Sequence, residues 1–278
     1  MAMKILITGA SSYVGASIYS TLKEKYSVIG TYNSHKLFPE LEILDITDKR
    51  KPLKKVSTKK PDVIIHVAAN ASGGWCEKNP ELAVAINQQG TRHIVDSANA
   101  IESKVIFISS FAIADTDSLY GRTKIAGEQY VKEVEAGYVI LRPSLIVGLS
   151  PNTTNDRPFN RLLRNITEGT PAVYDTSWRF QPTWLRHLDE VIEEILEREI
   201  INETIPVSVP ELKTRYEIAN DLLPKFGIKA TPENKHDSTP TFSEKLNKLK
   251  ELKLPQYSYS QMISGIITEI KGYLKGLK

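Results

Sequence analysis

The sequence has few of the features that mark specialised classes of protein. It contains one cysteine, Cys76, in 278 residues, so it cannot form an intramolecular disulfide and has too few thiolates for a structural zinc site. No apolar run is long enough to span a membrane, and the N-terminal stretch MAMKILITGASSYVG does not have the pattern of a secretory signal. These absences predict a cytoplasmic protein with no metal site and no membrane partner.

The chain also has no strong excess of either charge. Its 36 basic and 33 acidic residues give a formal net charge of +3, which does not favour nucleic acid as a partner. Apolar residues make up 41% of the sequence, enough for a full core at this length. We therefore expect a globular protein whose substrate or ligand is a small molecule.

Short apolar runs alternate with helical patterns through the first half of the chain. The strand candidates are KILIT, YSVIGTY, LEILD, DVIIHVAA, KVIFISS and GYVILRPSLIV, and the helical stretches are 13–25, 48–57, 80–101 and 119–136. This alternation is typical of βαβ units, whose crossover helices cover both faces of a parallel sheet. It predicts an α/β fold with a Rossmann-type, doubly wound parallel sheet.

The pattern changes after Gly148, where LSPNTTNDRP is rich in Pro, Asn and Thr. We predict a dinucleotide-binding Rossmann core over residues 1–150, to which about 180–202 also contribute. A smaller, discontinuous C-terminal lobe on the substrate side is predicted over 151–278.

A glycine-containing stretch, ILITGASSYVG, places Gly9 and Gly15 between the first predicted strand and the first predicted helix. The amides at a helix N-terminus bind pyrophosphate, and glycine lets the backbone approach it closely. Ser12 stands where the usual spacing has a third glycine, so an ordinary glycine turn is the alternative interpretation. The strand before the loop and the helix after it favour a dinucleotide site.

The end of the second predicted strand bears on which dinucleotide is bound. A carboxylate there would hold the ribose hydroxyls of NAD, but the stretch is GTYNSHK, which contains His35 and Lys36. These side chains tolerate a 2′-phosphate, so we expect NADP(H), with NAD(H) as the alternative. The other interpretation is that they are ordinary loop residues.

The stretch YGRTKIAGE places Tyr120 and Lys124 four residues apart in a predicted helix, so both side chains lie on one face. A nearby cation lowers the pKa of a tyrosine, which favours proton exchange near neutral pH. Upstream, VIFISSF ends a strand with Ser109 and Ser110, at the edge where open α/β sheets bind ligands. A serine there can donate a hydrogen bond to a substrate carbonyl, although Tyr-x-x-x-Lys alone is typical of a solvated helix face.

The order of these motifs resembles the extended short-chain dehydrogenase/reductase family and, within it, the dTDP-4-dehydrorhamnose reductases. The similarity includes HVAA, INQQGT, LRPSLIVG and QPTWLRHL and covers nearly the whole chain. It implies an NAD(P)-dependent oxidoreductase that reduces a sugar or nucleotide-sugar carbonyl in carbohydrate biosynthesis. An NAD-dependent sugar epimerase and a non-catalytic NADP-binding regulatory protein of the same fold are the alternatives. Relatives often pair through core helices, which implies a homodimer.

The resemblance also implies roles for individual residues. Ser110 would polarise the carbonyl, Tyr120 would donate the proton, and Lys124 would lower the tyrosine pKa and bind the nicotinamide ribose. The other residues implied in cofactor binding are Gly9, Ser12, Tyr13, Val14, Gly15, Tyr32, Asn33, Asp45, Ile46, Ala68, Ala69 and Asn87. For Asn87 the alternative is a structural amide that ties a helix to a neighbouring strand.

Two departures from the reductase pattern concern the substrate. Phe111 stands where these reductases usually have an aspartate, and Ser110 and Tyr120 are only ten positions apart; both leave the specific sugar open. Phe111 and Ala112 also lack the acid and base that dehydration requires, so a dehydratase is disfavoured.

Several further side chains have two interpretations. His66 is expected to be a satisfied core histidine rather than a catalytic base. Contact with a substrate nucleotide or phosphate and packing between the predicted lobes are both open for Arg142, Trp178, Arg179 and Trp184.

Overall fold

The computed structural model describes residues 3–276. Its strands are β1 (Lys4–Thr8), β2 (Ser27–Tyr32), β3 (Glu42–Ile43), β4 (Val63–His66), β5 (Lys104–Ile108), β6 (Tyr138–Pro143), β7 (Ile146–Val147), β8 (Val173–Asp175), β9 (Thr183–Trp184), β10 (Glu203–Val207) and β11 (Thr231–Glu233). Its α-helices are α1 (Tyr13–Leu22), α2 (Arg50–Lys59), α3 (Gly73–Lys78), α4 (Pro80–Ala83), α5 (Gly90–Asn99), α6 (Leu119–Val131), α7 (Pro158–Thr167), α8 (Leu185–Glu197), α9 (Arg215–Leu222), α10 (Asn247–Glu251) and α11 (Tyr259–Gly276). A π-helical turn, Val84–Gln89, joins α4 to α5, and 3₁₀ turns lie at Phe111–Ala114 and Leu223–Phe226.

The main sheet has seven strands in the order β10-β6-β5-β4-β1-β2-β3. β1 pairs in parallel with both β2 and β4, and the β2–β3, β4–β5 and β5–β6 pairs are also parallel. The strand order therefore reverses between β1 and β4, which is the arrangement that binds ligands at the carboxyl ends of these strands. The predicted Rossmann-type α/β fold is confirmed.

The central strands are buried on both faces, as continuous apolar runs in a parallel sheet should be. Ile5, Leu6 and Ile7 of β1 are completely buried, and so are Ile64 and Ile65 of β4. Burial of such a side chain contributes about 1.5–3 kcal/mol. This rigid centre fixes the positions at which the polar residues after β1, β4 and β5 leave the sheet.

The chain divides into two compact units. The core unit runs to Arg142 and includes Ile192–Ile205; the second unit contains Pro143–Val191 and the chain from Pro206 onward. The second unit has two small parallel sheets, β7–β9 and β8–β11. The domain boundary near residue 150 stays a prediction.

Three predicted elements differ from the observed ones. GYVILRPSLIV forms two strands, β6 and β7, which belong to different sheets. LEILD forms only the two-residue strand Glu42–Ile43, because the Asp45 carboxylate accepts hydrogen bonds from the amide and hydroxyl of Thr47 and turns the chain. The predicted helix 80–101 is continuous, but its residues Val84–Gln89 are π-helical and not α-helical. Among residues 3–276, no helix is long and apolar enough to cross a membrane.

Candidate functional site

The loop after β1 is a tight glycine turn. Gly9 has φ +71°, in the left-handed region, and a Cβ added there would lie 2.9 Å from the Cα of Ala68. A Cβ at Gly15 would lie 2.1 Å from the carbonyl oxygen of Gly9. Only glycine fits at either position, and the turn brings the chain after β1 against the chain after β4.

Ser12 has a structural use in this loop. It is the N-cap of α1, and its hydroxyl oxygen accepts a hydrogen bond from the amide of Gly15 at 3.0 Å. The hydroxyl thus satisfies one of the amides that the N-terminus of a helix leaves unpaired. Tyr13 is buried and Val14 half-buried at the start of the same helix, so their predicted contact with a cofactor stays a prediction.

His66, at the end of β4, is completely enclosed. Its Nδ1 lies 2.7 Å from the hydroxyl of Thr8 and its Nε2 lies 3.0 Å from the hydroxyl of Thr91. Thr91 donates its proton to the carbonyl of Asn87, so Nε2 is the ring atom that carries a proton and Nδ1 accepts one from Thr8. Burial lowers the pKa of His66 to about 3, and the imidazole is therefore neutral and fully paired.

The Thr8 hydroxyl also orders the segment after β4. It accepts hydrogen bonds from the amides of Val67 and Ala68, at 3.1 and 3.2 Å. Ala68 is therefore fixed from two sides, by Gly9 and by Thr8, and Ala69 follows it in the same half-buried segment. The two alanines lie at the carboxyl edge of the sheet, as the predicted cofactor contact requires.

Asn87 lies in the π-helical turn and is buried. Its amide group donates to the carbonyl of Asn70 at 3.0 Å and accepts from the amide of Asn70 at 2.8 Å. The same Nδ2 reaches the hydroxyl of Thr123 on α6 at 3.3 Å. Asn87 therefore ties the segment after β4 to the helix that carries Lys124, which agrees with the structural alternative for this residue.

Lys124 is a buried cation at the carboxyl end of β5. The residue is only 3% exposed, and its ammonium donates a hydrogen bond to the carbonyl of Ile108 at 2.7 Å. The Nζ atom lies 4.6 Å from the ring centre of Phe107 and 6.0 Å from that of Tyr120. Burial lowers the pKa of Lys124 to about 8.

Ser110 and Tyr120 belong to adjoining pieces of structure. Ser110 caps the 3₁₀ turn Phe111–Ala114, and its oxygen accepts from the amide of Ala112 at 3.1 Å. The carbonyl of Ala112 would lie 2.4 Å from a Cβ added to Gly121, so the turn packs directly on the first turn of α6, where Tyr120 is half-buried. The predicted trio is carried by two segments in close contact.

Glu128 is a buried residue of this region to which the motif analysis gave no role. Its carboxylate accepts from Ser109 at 2.6 Å and from the guanidinium of Arg142 at 2.9 and 2.7 Å. Arg142 is thus paired with Glu128 inside the core unit, which supports a packing role for this residue. The motif YGRTKIAGE contains Glu128, but its partner comes from β6 and cannot be read from local spacing.

The predicted adenosine-side residues lie at the ends of β2 and β3. Tyr32 is half-buried and Asn33 is exposed. The carboxylate of Asp45 is held by Thr47 and Lys51, and the hydrogen bond from the Thr47 hydroxyl is the main reason that its pKa is lowered. Ile46 is buried.

Three aromatic and basic residues considered for substrate contact lie in the second unit. The indole of Trp178 donates to the carbonyl of Pro240, and that of Trp184 donates to Glu269, both at 3.0 Å. Arg179 donates to the carbonyl of Leu212 at 3.2 Å. Both indoles are buried, which supports the packing interpretation for Trp178 and Trp184. Arg179 is exposed, and both interpretations stay open for it.

Comparisons with known proteins agree with this arrangement. The family described as RmlD substrate binding domain matches residues 3–264. The chain belongs to this family. The resemblance to dTDP-4-dehydrorhamnose reductases that the motifs indicate is thereby confirmed at the level of family.

Relatives of this RmlD-domain chain carry more than one kind of name. "Methionine adenosyltransferase 2 subunit beta" of Xenopus laevis is 27% identical over 244 residues, which are 81% of this chain and 72% of that protein. A "probable low-salt glycan biosynthesis reductase" of Haloferax volcanii is 29% identical over 170 residues, 55% of this chain and 57% of that protein. The family membership therefore leaves the activity to be argued from the site.

A dTDP-4-dehydrorhamnose reductase from Bacillus anthracis, solved in complex with NADP, has the same fold as this RmlD-domain chain. The TM-score is 0.83 with 23% sequence identity, and the match covers 98% of this chain and 99% of that one.

Within residues 3–276, no group of three or more His, Cys, Asp or Glu side chains could hold a metal ion.

Proposed function

We propose that this protein is an NADP(H)-dependent reductase of a sugar or nucleotide-sugar carbonyl. The observation that carries the proposal is the buried ammonium of Lys124, 6.0 Å from the ring centre of Tyr120 at the carboxyl edge of the sheet. Burial of a charged lysine costs folding free energy. A buried lysine with a lowered pKa beside a half-buried tyrosine is therefore a candidate for a functional group. Relatives named as reductases support the same class of reaction.

The residues at the sheet edge fit a nicotinamide dinucleotide. Gly9 lets the loop after β1 pack closely against Ala68, and this loop leads into the N-terminus of α1, where backbone amides can bind a pyrophosphate. Lys124 has three N–H donors, and its hydrogen bond to Ile108 uses one of them. The exposed Lys36 and His35 after β2 suit a 2′-phosphate. When bound, such a cofactor supplies the hydride that the carbonyl carbon receives.

Tyr120 is proposed as the proton donor to the carbonyl oxygen. As that oxygen gains negative charge, the phenol gives it a proton, and the neighbouring ammonium of Lys124 stabilises the phenolate that remains. His66 is neutral and paired at both nitrogens, so it does not compete for this role.

Ser110 is proposed as the donor that polarises the carbonyl. Its oxygen accepts the amide of Ala112, which fixes the hydroxyl and leaves its own proton as the remaining donor. A donor held in advance near the developing oxyanion lowers the barrier more than one that must be oriented during the reaction. With these roles, the proposed reaction is the carbonyl reduction that short-chain dehydrogenases/reductases catalyse.

The test is NADPH oxidation by the purified protein with a panel of keto-sugars and nucleotide keto-sugars. Tyr120→Phe should lower kcat about 100- to 10,000-fold with cofactor affinity retained, because general acid catalysis contributes that much. Tyr130→Phe is the matched control. It removes a phenol hydroxyl from the same helix, but this hydroxyl accepts a hydrogen bond from Gln88. Full turnover in Tyr120→Phe would refute the mechanism.

A regulatory subunit without chemistry of its own is the second candidate. The observation in its favour is the 27% identity to methionine adenosyltransferase 2 subunit beta over 81% of this chain. In that case the wild-type protein would reduce no substrate of the panel and would co-purify with a larger enzyme whose activity depends on it. NADPH consumption by the isolated wild-type protein decides for the reductase.

A further inference from the structure

The last residues of β5 and those that follow it are held one after another by α6. The ammonium of Lys124 binds the carbonyl of Ile108 at 2.7 Å, and the carboxylate of Glu128 accepts the hydroxyl of Ser109 at 2.6 Å. Lys124 and Glu128 are one helical turn apart, so α6 attaches to two consecutive residues of the strand end. Ser110 is the next residue along the chain.

A third element closes this arrangement. Arg142 of β6 binds Glu128 through two parallel hydrogen bonds, at 2.9 and 2.7 Å, and the amide of Ser109 donates to the carbonyl of Leu141 at 2.7 Å. The Glu128 side chain is only 6% exposed and that of Arg142 is 21% exposed. A bidentate pair of this kind has a defined geometry and little freedom to rotate.

We propose that Glu128 is a positioning residue, which fixes Ser110 and Lys124 relative to each other through the Ser109–Glu128–Arg142 clamp and supplies the anion that keeps the ammonium of Lys124 charged. This inference rests on the proposed reductase function. Glu128 itself touches neither substrate nor cofactor in this scheme; it acts through the strand end and through the lysine.

The electrostatic part follows from what surrounds Lys124. His66 on β4 is neutral at physiological pH, because burial lowers its pKa to about 3, and burial raises the pKa of the Cys76 thiol on α3. Tyr120 lies on the same helix. Burial lowers the pKa of Lys124 to about 8, and Glu128 is the main group that opposes this shift. Loss of its charge should therefore favour neutral Lys124.

The decisive variant is Glu128→Gln, which keeps the shape and an oxygen acceptor but removes the charge. We expect the titration of Lys124 in the cofactor-free protein, followed by NMR of lysines labelled with ¹³C at Cε, to move to lower pH than in the wild type. The resonance is assigned with Lys124→Arg. The alkaline limb of the kcat profile should move in the same direction.

Two further variants separate position from charge. Glu128→Asp keeps the charge but has a shorter reach, so the titration of Lys124 should stay near that of the wild type while kcat falls. Ser109→Ala removes only the contact with the strand end, and kcat should fall about 10- to 100-fold with little change in KM, because displacement of a reacting group by about 1 Å costs up to about 100-fold. Glu133→Gln is the control, since it breaks an exposed ion pair with Arg92 beyond the end of α6.

The inference is overturned if Glu128→Gln leaves both the Lys124 titration and kcat unchanged. If that variant does not fold, Ser109→Ala decides, and an unchanged kcat in it overturns the positioning role. A wild-type protein that reduces no carbonyl refutes the proposed function instead, whereas the titration experiment, which needs no turnover, still tests the charge effect of Glu128.

Discussion

The carboxyl ends of β5 and β2 are built in opposite ways. At β5, Ser109, Lys124 and Glu128 are buried, and each side chain makes a hydrogen bond to a partner from another element. After β2, His35 and Lys36 are exposed; the ring of His35 lies 2.9 Å from the hydroxyl of Ser34, and the ammonium of Lys36 lies 5.9 Å from the ring centre of Tyr32. One end is a set of buried, mutually dependent groups, and the other consists of surface side chains whose contacts are with near neighbours in the sequence.

This difference predicts how strongly substitutions at the two strand ends should affect stability. Removal of one partner from a buried network leaves another polar group without a hydrogen bond, which costs far more than the contact is worth. An exposed side chain that contacts little can be replaced at a cost within about 0.5 kcal/mol. The reaction chemistry of the proposed site should therefore resist substitution, while its choice of dinucleotide should be easy to alter.

The largest effect is expected for the ion pair at β5. Arg142→Met should lower the free energy of unfolding by about 3–5 kcal/mol, because it leaves the buried carboxylate of Glu128 without its two hydrogen bonds to the guanidinium. Arg92→Met, which breaks an exposed pair with Glu133, should cost at most about 1 kcal/mol. Urea denaturation at pH 7 measures both, and equal losses would mean that burial does not distinguish the two pairs.

A smaller effect of opposite sign is expected at Lys124. Its pKa is about 8 in the folded protein and about 10.4 in an unfolded chain, so the unfolded state binds more protons between these values and stability should rise with pH across that window. Lys124→Met should be more stable than the wild type by about 1–3 kcal/mol at pH 7, a gain limited by the lost hydrogen bond to Ile108.

The advantage of Lys124→Met should shrink as pH rises from 8 to 10. Thermal or urea unfolding of the two proteins at pH 7, 8.5 and 10 measures it. A constant difference at all three values would show that Lys124 does not titrate in this range. In the proposed mechanism the same variant is inactive, so stability and activity change in opposite directions.

The smallest effects are expected after β2. Lys36→Ala should raise the dissociation constant for NADPH about 10-fold and leave that for NADH nearly unchanged, because an exposed ammonium contributes about one charge-assisted hydrogen bond to a 2′-phosphate. Stability should change by less than about 0.5 kcal/mol. Calorimetric titration with both dinucleotides is the measurement, with the exposed Lys54→Ala on α2 as control; equal weakening of the two cofactors would contradict the assignment.

The sequence was sufficient where local pattern decides the structure. The apolar runs around Ile5–Ile7 and Ile64–Ile65 predicted buried parallel strands, and Gly9 predicted the turn, because no other residue fits beside Ala68. The motif around Tyr120 and Lys124 predicted a helix with both residues on one face, as α6 has.

Other features depend on contacts between distant parts of the chain. Arg142 has the same local signal whether it meets a phosphate or Glu128, and only the neighbouring positions of β6 and α6 decide this. The role of Asn87 likewise depends on distant residues, since its amide bonds to Asn70 and to Thr123. The shortness of β3 results from one side-chain turn at Asp45.

The chain of hydrogen bonds from Thr8 through His66 to Thr91 and Asn87 runs in one direction, with every proton already assigned to an acceptor. The series begins at the backbone amides of Val67 and Ala68, which donate to Thr8, and it ends at the backbone carbonyl of Asn87. Backbone groups at both ends do not exchange protons readily, so the series has no source or outlet for a proton. In the proposed mechanism Tyr120 therefore has to regain its proton by another route.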